Sequence, residues 1–361
     1  MSGSSSVGWR LPLLGCGAIA LLAGLYSALL LLGVNMPAPR PSLVEVHGPV
    51  MVFGFVGTLV ALERAVAAGA RWTLLAPAGA GAGALALLIT GPSLPAKVML
   101  ATAAVLLLGV YRVLWRRQPG PALLAQAIGA FAWYAAVLLW LGGYSIPELA
   151  PWLVTFVVAT IAGERLELAL FHGIRARRWF LAATGALVVG VVAATVWPGF
   201  GHRAFGLGVL AVVAWLATFD VARRTLRAGG LPRYVAVGLL AGYAWLGLAG
   251  VLWAGGGATV DGPRYDAALH AVFLGFVMSL IFAHAPVILP AVLRRPLPYH
   301  PVLYAPLAVL QLGLLVRVGI GDGAGLSAVW RWAGVANVVA VLGFGVCAAA
   351  ASVRASSVAT S

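Results

Sequence analysis

Along most of the chain, polar side chains are confined to short breaks between apolar runs of about 20 residues, the length a helix needs to cross a bilayer. The runs fall near residues 11–34, 46–68, 73–91, 96–115, 121–143, 148–171, 179–198, 204–223, 233–255, 266–291, 301–319 and 326–350. The pattern predicts twelve membrane-spanning helices. The breaks carry turn chemistry, as in Pro37-Ala-Pro39-Arg-Pro41, Gln118-Pro-Gly120, Gly229-Gly-Leu-Pro232 and Arg295-Pro-Leu-Pro298.

One frame recurs on the second, sixth and tenth runs. Phe55-Val-Gly-Thr-Leu-Val-Ala-Leu-Glu63-Arg64 matches Phe156-Val-Val-Ala-Thr-Ile-Ala-Gly-Glu164-Arg165, and both match Phe276-Val-Met-Ser-Leu-Ile-Phe-Ala-His284-Ala285. Apolar helices resemble one another cheaply, but a Glu-Arg pair at one register is informative in a chain with nine acidic residues. Neighbouring runs agree: Ala132-Trp-Tyr-Ala-Ala-Val-Leu-Leu-Trp parallels Ala244-Trp-Leu-Gly-Leu-Ala-Gly-Val-Leu-Trp with one insertion, and the third and seventh runs open on Arg71-Trp72 and Arg178-Trp179. The expectation is an all-α polytopic membrane protein of one transmembrane domain, residues 1–361. It would be built from three four-helix arcs, about 11–117, 121–228 and 233–353, around a pseudo-threefold axis along the membrane normal. The second, sixth and tenth helices, which carry buried ionisable residues, would lie innermost.

Composition agrees. Hydrophobic residues make up 62% of the 361 and charged residues only 9%, against about 25% charged in soluble domains. Mean hydropathy is +1.02. The formal net charge of +14 would suggest nucleic acid in a soluble protein; here it reflects arginines gathered on one side of the membrane. Seventeen of them lie at Arg10, Arg64, Arg71, Arg112, Arg116, Arg117, Arg165, Arg175, Arg177, Arg178, Arg223, Arg224, Arg227, Arg233, Arg294, Arg295 and Arg354. The other side has six basic residues, Arg40, Lys97, Arg203, Arg264, Arg317 and Arg331. This bias predicts a cell-membrane protein with both termini cytoplasmic. Cys16 and Cys347 each sit inside an apolar helix without metal or redox spacing. Met1-Ser-Gly-Ser-Ser-Ser lacks a charged signal-peptide start, so the first helix is expected to be retained.

His47 lies eight residues before Phe55, and His270 six before Phe276. At 1.5 Å per residue their depths differ by about 3 Å. Two imidazoles at near-equal depth on repeat-related helices suit the two axial positions of one haem iron. The alternative is that each only hydrogen-bonds a backbone carbonyl or a loop carboxylate such as Glu45 or Asp266. Glu148 holds the register of His47 on the sixth run, so a three-histidine copper site is not expected.

His47-Gly-Pro-Val-Met-Val-Phe-Gly-Phe-Val-Gly resembles the second helix of the NnrS family of haem- and copper-containing membrane proteins. His270-Ala-Val-Phe-Leu-Gly-Phe-Val-Met-Ser-Leu-Ile-Phe-Ala-His284 is similar to a late helix of that family. More distantly, both resemble helices two and ten of the haem-copper oxidase catalytic subunit, which has twelve spans in three arcs and carries the low-spin haem ligands on those helices. The resemblance covers the overall plan and is specific in two helices of twelve. It implies one haem b with His47 and His270 as iron ligands, and a role in electron transfer, nitric-oxide stress or metal handling. The departures remove the oxidase centre. Val272 and Ala268 stand where a second histidine is needed, the seventh run has no histidine, and His172 lies at the far end of the sixth. A complete haem-copper centre is therefore not expected.

Glu63, Glu164 and His284 share one register, with Glu167 three residues beyond Glu164 and Arg64 and Arg165 as charge partners. The possibilities are a charge-paired ring that fixes helix register, a proton path, or a site for copper or another divalent metal. Glu63 is 16 residues from His47, about 24 Å along a helix, so the two ends of that helix would be separate sites. His300 and His202 read as interfacial, the latter in an outer loop, and Trp9, Trp72, Trp152 and Trp179 as interface anchors. No P-loop, GxSxG or HExxH pattern occurs, so no motif assigns a reaction. The competing expectation is a proton- or metal-ion-conducting transporter using Glu63, Glu164, Glu167 and His284, and an accessory subunit is a third. The bilayer is the one partner implied; an electron donor or partner subunit is not identified, and nucleic acid is not expected.

Overall fold

The computed structural model describes residues 8–37, 40, 42–168, 173–293 and 297–358. Their regular elements are all helical, with no strand among the described residues. Twelve helices are long and apolar enough to cross a membrane. We number them α1 (Arg10–Leu31), α2 (His47–Ala68), α3 (Arg71–Thr90), α4 (Leu94–Arg117), α5 (Pro121–Leu141), α6 (Ile146–Glu167), α7 (Ile174–Val196), α8 (Pro198–Phe219), α9 (Gly230–Gly256), α10 (Gly262–Pro290), α11 (Pro301–Asp322) and α12 (Ser327–Ser352).

The starts of α7, α8 and α10 differ most from the sequence expectation, α10 beginning at Gly262 rather than near 266. α7 starts at Ile174, ahead of Arg178-Trp179, and α8 starts at Pro198 rather than near 204. Arginine is a good helix former whose stem can lie on apolar surface while its head reaches water, so a basic pair need not end a helix. The true break is at Trp197 (φ −131°, ψ 77°), because the residue before a proline is pushed out of the helical region. As a result His202 lies in the first turns of α8 and is buried, not in an outer loop. Trp9, Trp72 and Trp179 are exposed as anchors should be, whereas Trp152, inside α6, is buried. His172, Arg294 and Arg295 lie outside the described residues.

The chain forms two compact units, Met1–Glu167 and Leu168–Ser361. The division falls between α6 and α7, inside the second repeat expected from sequence. In the first unit α1 packs on α2 and α3, and α4 on α2, α3 and α5. Small residues set these approaches, as is usual where helices meet in lipid. A Cβ on Gly54 of α2 would stand 2.7 Å from Cβ of Ala84 and 3.1 Å from Cβ of Ala20. The indole of Trp133 on α5 sits between Phe53 and Phe156, with ring centroids 5.6 and 5.2 Å away, and against Gly57. In the second unit α7, α8, α9, α10, α11 and α12 pack each on the next. Trp245 of α9 seats against Gly275 of α10 much as Trp133 does against Gly57.

Burial singles out the helices that carry the repeated frame. The shares of α6, α2 and α10 that are buried are 72, 67 and 61%, and no other spanning helix exceeds 50%. α2 and α10 also share a backbone feature that is invisible in sequence, and that α11 has as well at Arg317–Asp322. Each contains a π-helical segment, Val50–Val56 and Ala271–Met278. Both segments begin five residues before the frame phenylalanine, Phe55 or Phe276. The same register on α6 is held by Pro151, and α6 is α-helical throughout its described length.

Candidate functional site

At the start of α2, His47 is half-buried, and its Nδ1 donates to the Gly24 carbonyl of α1 at 2.9 Å. Met51 packs closely onto that glycine: a Cβ on Gly24 would lie 2.3 Å from the Met51 sulfur. The imidazole is therefore held from a neighbouring helix, and its tautomer places the lone pair on Nε2.

His270 occupies the matching position on α10, one residue before the π-helical segment, where His47 stands three residues before its own. Its Nδ1 lies 2.9 Å from the Asp266 carbonyl and 3.1 Å from Asp266 Oδ1, both acceptors, so Nδ1 carries a proton and the neutral form would have its lone pair on Nε2. Asp266 belongs to the first turns of α10 rather than to a loop, since Gly262-Pro263 starts the helix. Its carboxylate also takes a bidentate hydrogen bond from Arg317 of α11, at 3.0 and 2.9 Å, and a third from Trp330 Nε1 of α12 at 2.9 Å. The Arg317 guanidinium lies 4.9 Å from the Trp330 ring centroid. A carboxylate behind an imidazole fixes its orientation and raises its donor strength, as in the outer shell of metal-bound histidines.

The second assembly is at the C-terminal ends of α2 and α6. Arg64, with 9% of its side chain exposed, is the centre. Its Nη2 donates to Glu63 Oε1 at 2.7 Å and to Glu164 Oε1 at 3.2 Å. Its Nη1 donates to Gln126 Oε1 at 3.2 Å and lies 3.6 Å from Glu167 Oε2. Gln126 Nε2 in turn donates to Glu167 Oε1 at 2.9 Å. Gln126 reaches the carboxylates because Gly163 lets α5 and α6 touch; a Cβ there would meet the Ala122 carbonyl at 2.6 Å and Gln126 Cγ at 2.7 Å. Tyr111 of α4, only 2% exposed, lies in the field of Arg64, Glu164, Glu63 and Glu167. The Tyr111 hydroxyl and Arg64 Nε are both buried without a hydrogen-bond partner, and a buried unsatisfied polar group costs about 1–3 kcal/mol.

Of the residues expected from sequence, the structure thus joins Glu63, Arg64, Glu164 and Glu167, and Arg165 is buried beside them in sequence. His284 belongs to the other unit, where its Nδ1 donates to the Leu280 carbonyl at 2.9 Å. Glu148 accepts from the Ser145 amide at 2.7 Å and hydroxyl at 2.6 Å, which closes the first turn of α6 as a capping residue. His300 accepts from Val302 N at 3.1 Å and caps the start of α11. Among the described residues no three His, Cys, Asp or Glu side chains are arranged to hold a metal ion. Gln126, Tyr111, Arg317 and Trp330 were not anticipated. Gln126, Tyr111 and Arg317 interrupt apolar runs, which is the signal that could have found them.

No curated protein matches the chain. A family model described as a domain of unknown function, DUF8744, matches residues 10–353, from the first residue of α1 to the end of α12. Covering all twelve spanning helices, that match makes the chain a member of the DUF8744 family.

Proposed function

We propose that this chain is an integral membrane haem protein that holds one haem b through His47 and His270 and lacks a complete haem-copper centre. In plan it would stand with the NnrS and haem-copper-oxidase-like group. The observation that carries this reading is the like treatment of the two imidazoles. Each is held through Nδ1 by a carbonyl, and each stands just before a π-helical segment that begins at one common register. Such segments are rare and gather at functional sites.

Each imidazole by itself has the chemistry the group needs. A neutral imidazole with its proton fixed on Nδ1 offers Nε2 to iron, and a bis-histidine haem needs two. When bound, the haem would supply one-electron transfer. The chain's own contribution is to orient the donors: the Gly24 carbonyl accepts from His47, and the Asp266 carbonyl and carboxylate, the latter itself held by Arg317 and Trp330, lie against His270. The role would lie in redox chemistry, protection against nitric oxide or metal handling. The repeat plan of three four-helix arcs is supported by the burial of α2, α6 and α10. A cell-membrane location follows from the arginine bias.

A reduced-minus-oxidised spectrum of the purified full-length protein tests the proposal. The expected result is a Soret band with sharp α and β bands of a six-coordinate haem b, lost or converted to a five-coordinate spectrum in His47→Ala and in His270→Ala. A colourless protein from haem-replete cells would overturn it.

A further inference from the structure

A second site, separate from the haem reading and independent of it, is carried by the first unit alone. Three carboxylates, Glu63, Glu164 and Glu167, converge on the single guanidinium of Arg64. Arg165 adds a second positive charge within range of Glu164. Among the described residues of the first unit, three negative charges here face two positive ones, in a setting where uncompensated charge is expensive. Around the cluster, α5 contributes Gln126 and no charged residue, and α4 contributes Tyr111. Arg117, at the end of α4, is engaged further along with the carbonyls of Ala67 and Ala68. Arg10 on α1 and Arg71 on α3 are the remaining charges of those two helices.

Two orphan atoms show where the cluster is incomplete. Arg64 Nε–H has no acceptor, and the Tyr111 hydroxyl has neither donor nor acceptor. Native interiors seldom leave such atoms dry, and water or a ligand oxygen is the usual remedy. The carboxylates themselves are partly accessible, with side-chain exposures of 31, 24 and 38% for Glu63, Glu164 and Glu167. The site has a buried polar floor and an edge that water can reach. A divalent cation is disfavoured because the guanidinium already occupies the point on which the carboxylates converge.

We propose that this cluster is a proton-binding site: one exchangeable proton is held on the Glu63, Glu164 and Glu167 carboxylates, with bound water satisfying Tyr111 and Arg64 Nε. A hydronium ion from the aqueous edge gives its proton to a carboxylate oxygen and leaves as water, neutralising that carboxylate. The proton returns by the same route.

Infrared spectroscopy of the full-length protein in nanodiscs at neutral pH tests this. A protonated-carboxyl C=O band that moves down in D2O is expected in the wild type, absent in Glu164→Gln and displaced in Tyr111→Phe. Absence of the band from the wild type, or its survival unchanged in Glu63→Gln, Glu164→Gln and Glu167→Gln alike, would overturn the proposal. Thermal stability measured in sodium, potassium and choline chloride supplies a second readout. Equal midpoints support a proton site, and a rise specific to sodium or potassium that Glu164→Gln abolishes would assign the site to a metal cation and overturn it. Should the Gln variants not fold, Tyr111→Phe, which removes one orphan hydroxyl, decides by the band's position: an unmoved band counts against the site. Failure of the haem proposal leaves these outcomes unchanged, since none of the cluster residues is an iron ligand.

Discussion

At the residue scale, Arg64 has the largest consequence. It neutralises carboxylates from two helices and is bonded to a glutamine from a third. Removing one partner of a buried charge network leaves the rest uncompensated, at a cost of about 3–5 kcal/mol. The carboxylates here are a quarter to two-fifths exposed, so solvent screening places the expected loss at the lower end. Arg64→Met should lower the thermal midpoint of the purified protein clearly, and Arg64→Lys should recover only part of it, because a point charge cannot serve Glu63, Glu164 and Gln126 as a planar fork does. Equal midpoints for Arg64→Met and wild type would show that the cluster contributes nothing to stability. The frame Glu-Arg at 63–64 and 164–165 was legible in the sequence; which of the two arginines forms the hub was not. Each follows a glutamate in the chain, and the Gln126 contact from α5 falls to Arg64.

At the element scale, approach distance is set by glycine. Gly163 of α6 faces the backbone carbonyl of Ala122, which cannot turn away as a side chain can, and an added Cβ would lie 2.6 Å from it. Gly185 of α7 has nothing within 4 Å of the same position. Overpacking typically costs about 1–3 kcal/mol, whereas an exposed helical Gly→Ala gains a fraction of a kilocalorie to about 1 kcal/mol. Gly163→Ala should therefore lower the midpoint and loosen the Gln126 contact to Glu167, while Gly185→Ala leaves it unchanged or slightly raised; the reverse order would refute the packing assigned to α5 and α6. The existence and order of the twelve helices were legible because a bilayer demands long apolar runs. The π-helical segments in α2 and α10 were not. A π turn differs from an α turn by one residue of register, and no residue type at 50–56 or 271–278 enforces it. By compactness the chain divides in sequence between α6 and α7, a boundary that the repeated frame does not mark.

At the scale of the whole molecule, the arginine bias predicts orientation. Reporter fusions at Ser361 and in the Gly257–Asp261 loop should give opposite responses, with the C-terminal fusion active as a cytoplasmic reporter and the loop fusion on the far side. The same side for both would invalidate either the span count or the orientation. Membership of the DUF8744 family covers the whole membrane domain and leaves the haem and proton proposals to rest on the side chains described above.

The sequence by itself determined that the chain is a multi-spanning helical membrane protein, that α2, α6 and α10 carry one repeated frame, and that His47, His270 and the glutamate-arginine pairs are the residues to ask about. These follow from local facts: the energetic cost of burying backbone and charge in lipid fixes run length and makes each intramembrane polar residue conspicuous. Tertiary structure decided how those residues are completed. Gly24 holds His47, Asp266 with Arg317 and Trp330 holds His270, and Gln126 and Tyr111 close the arginine cluster. Each of these partners comes from elsewhere in the fold or from a helical turn, and hydrogen-bond reach of about 3 Å is a property of packing that no linear pattern encodes.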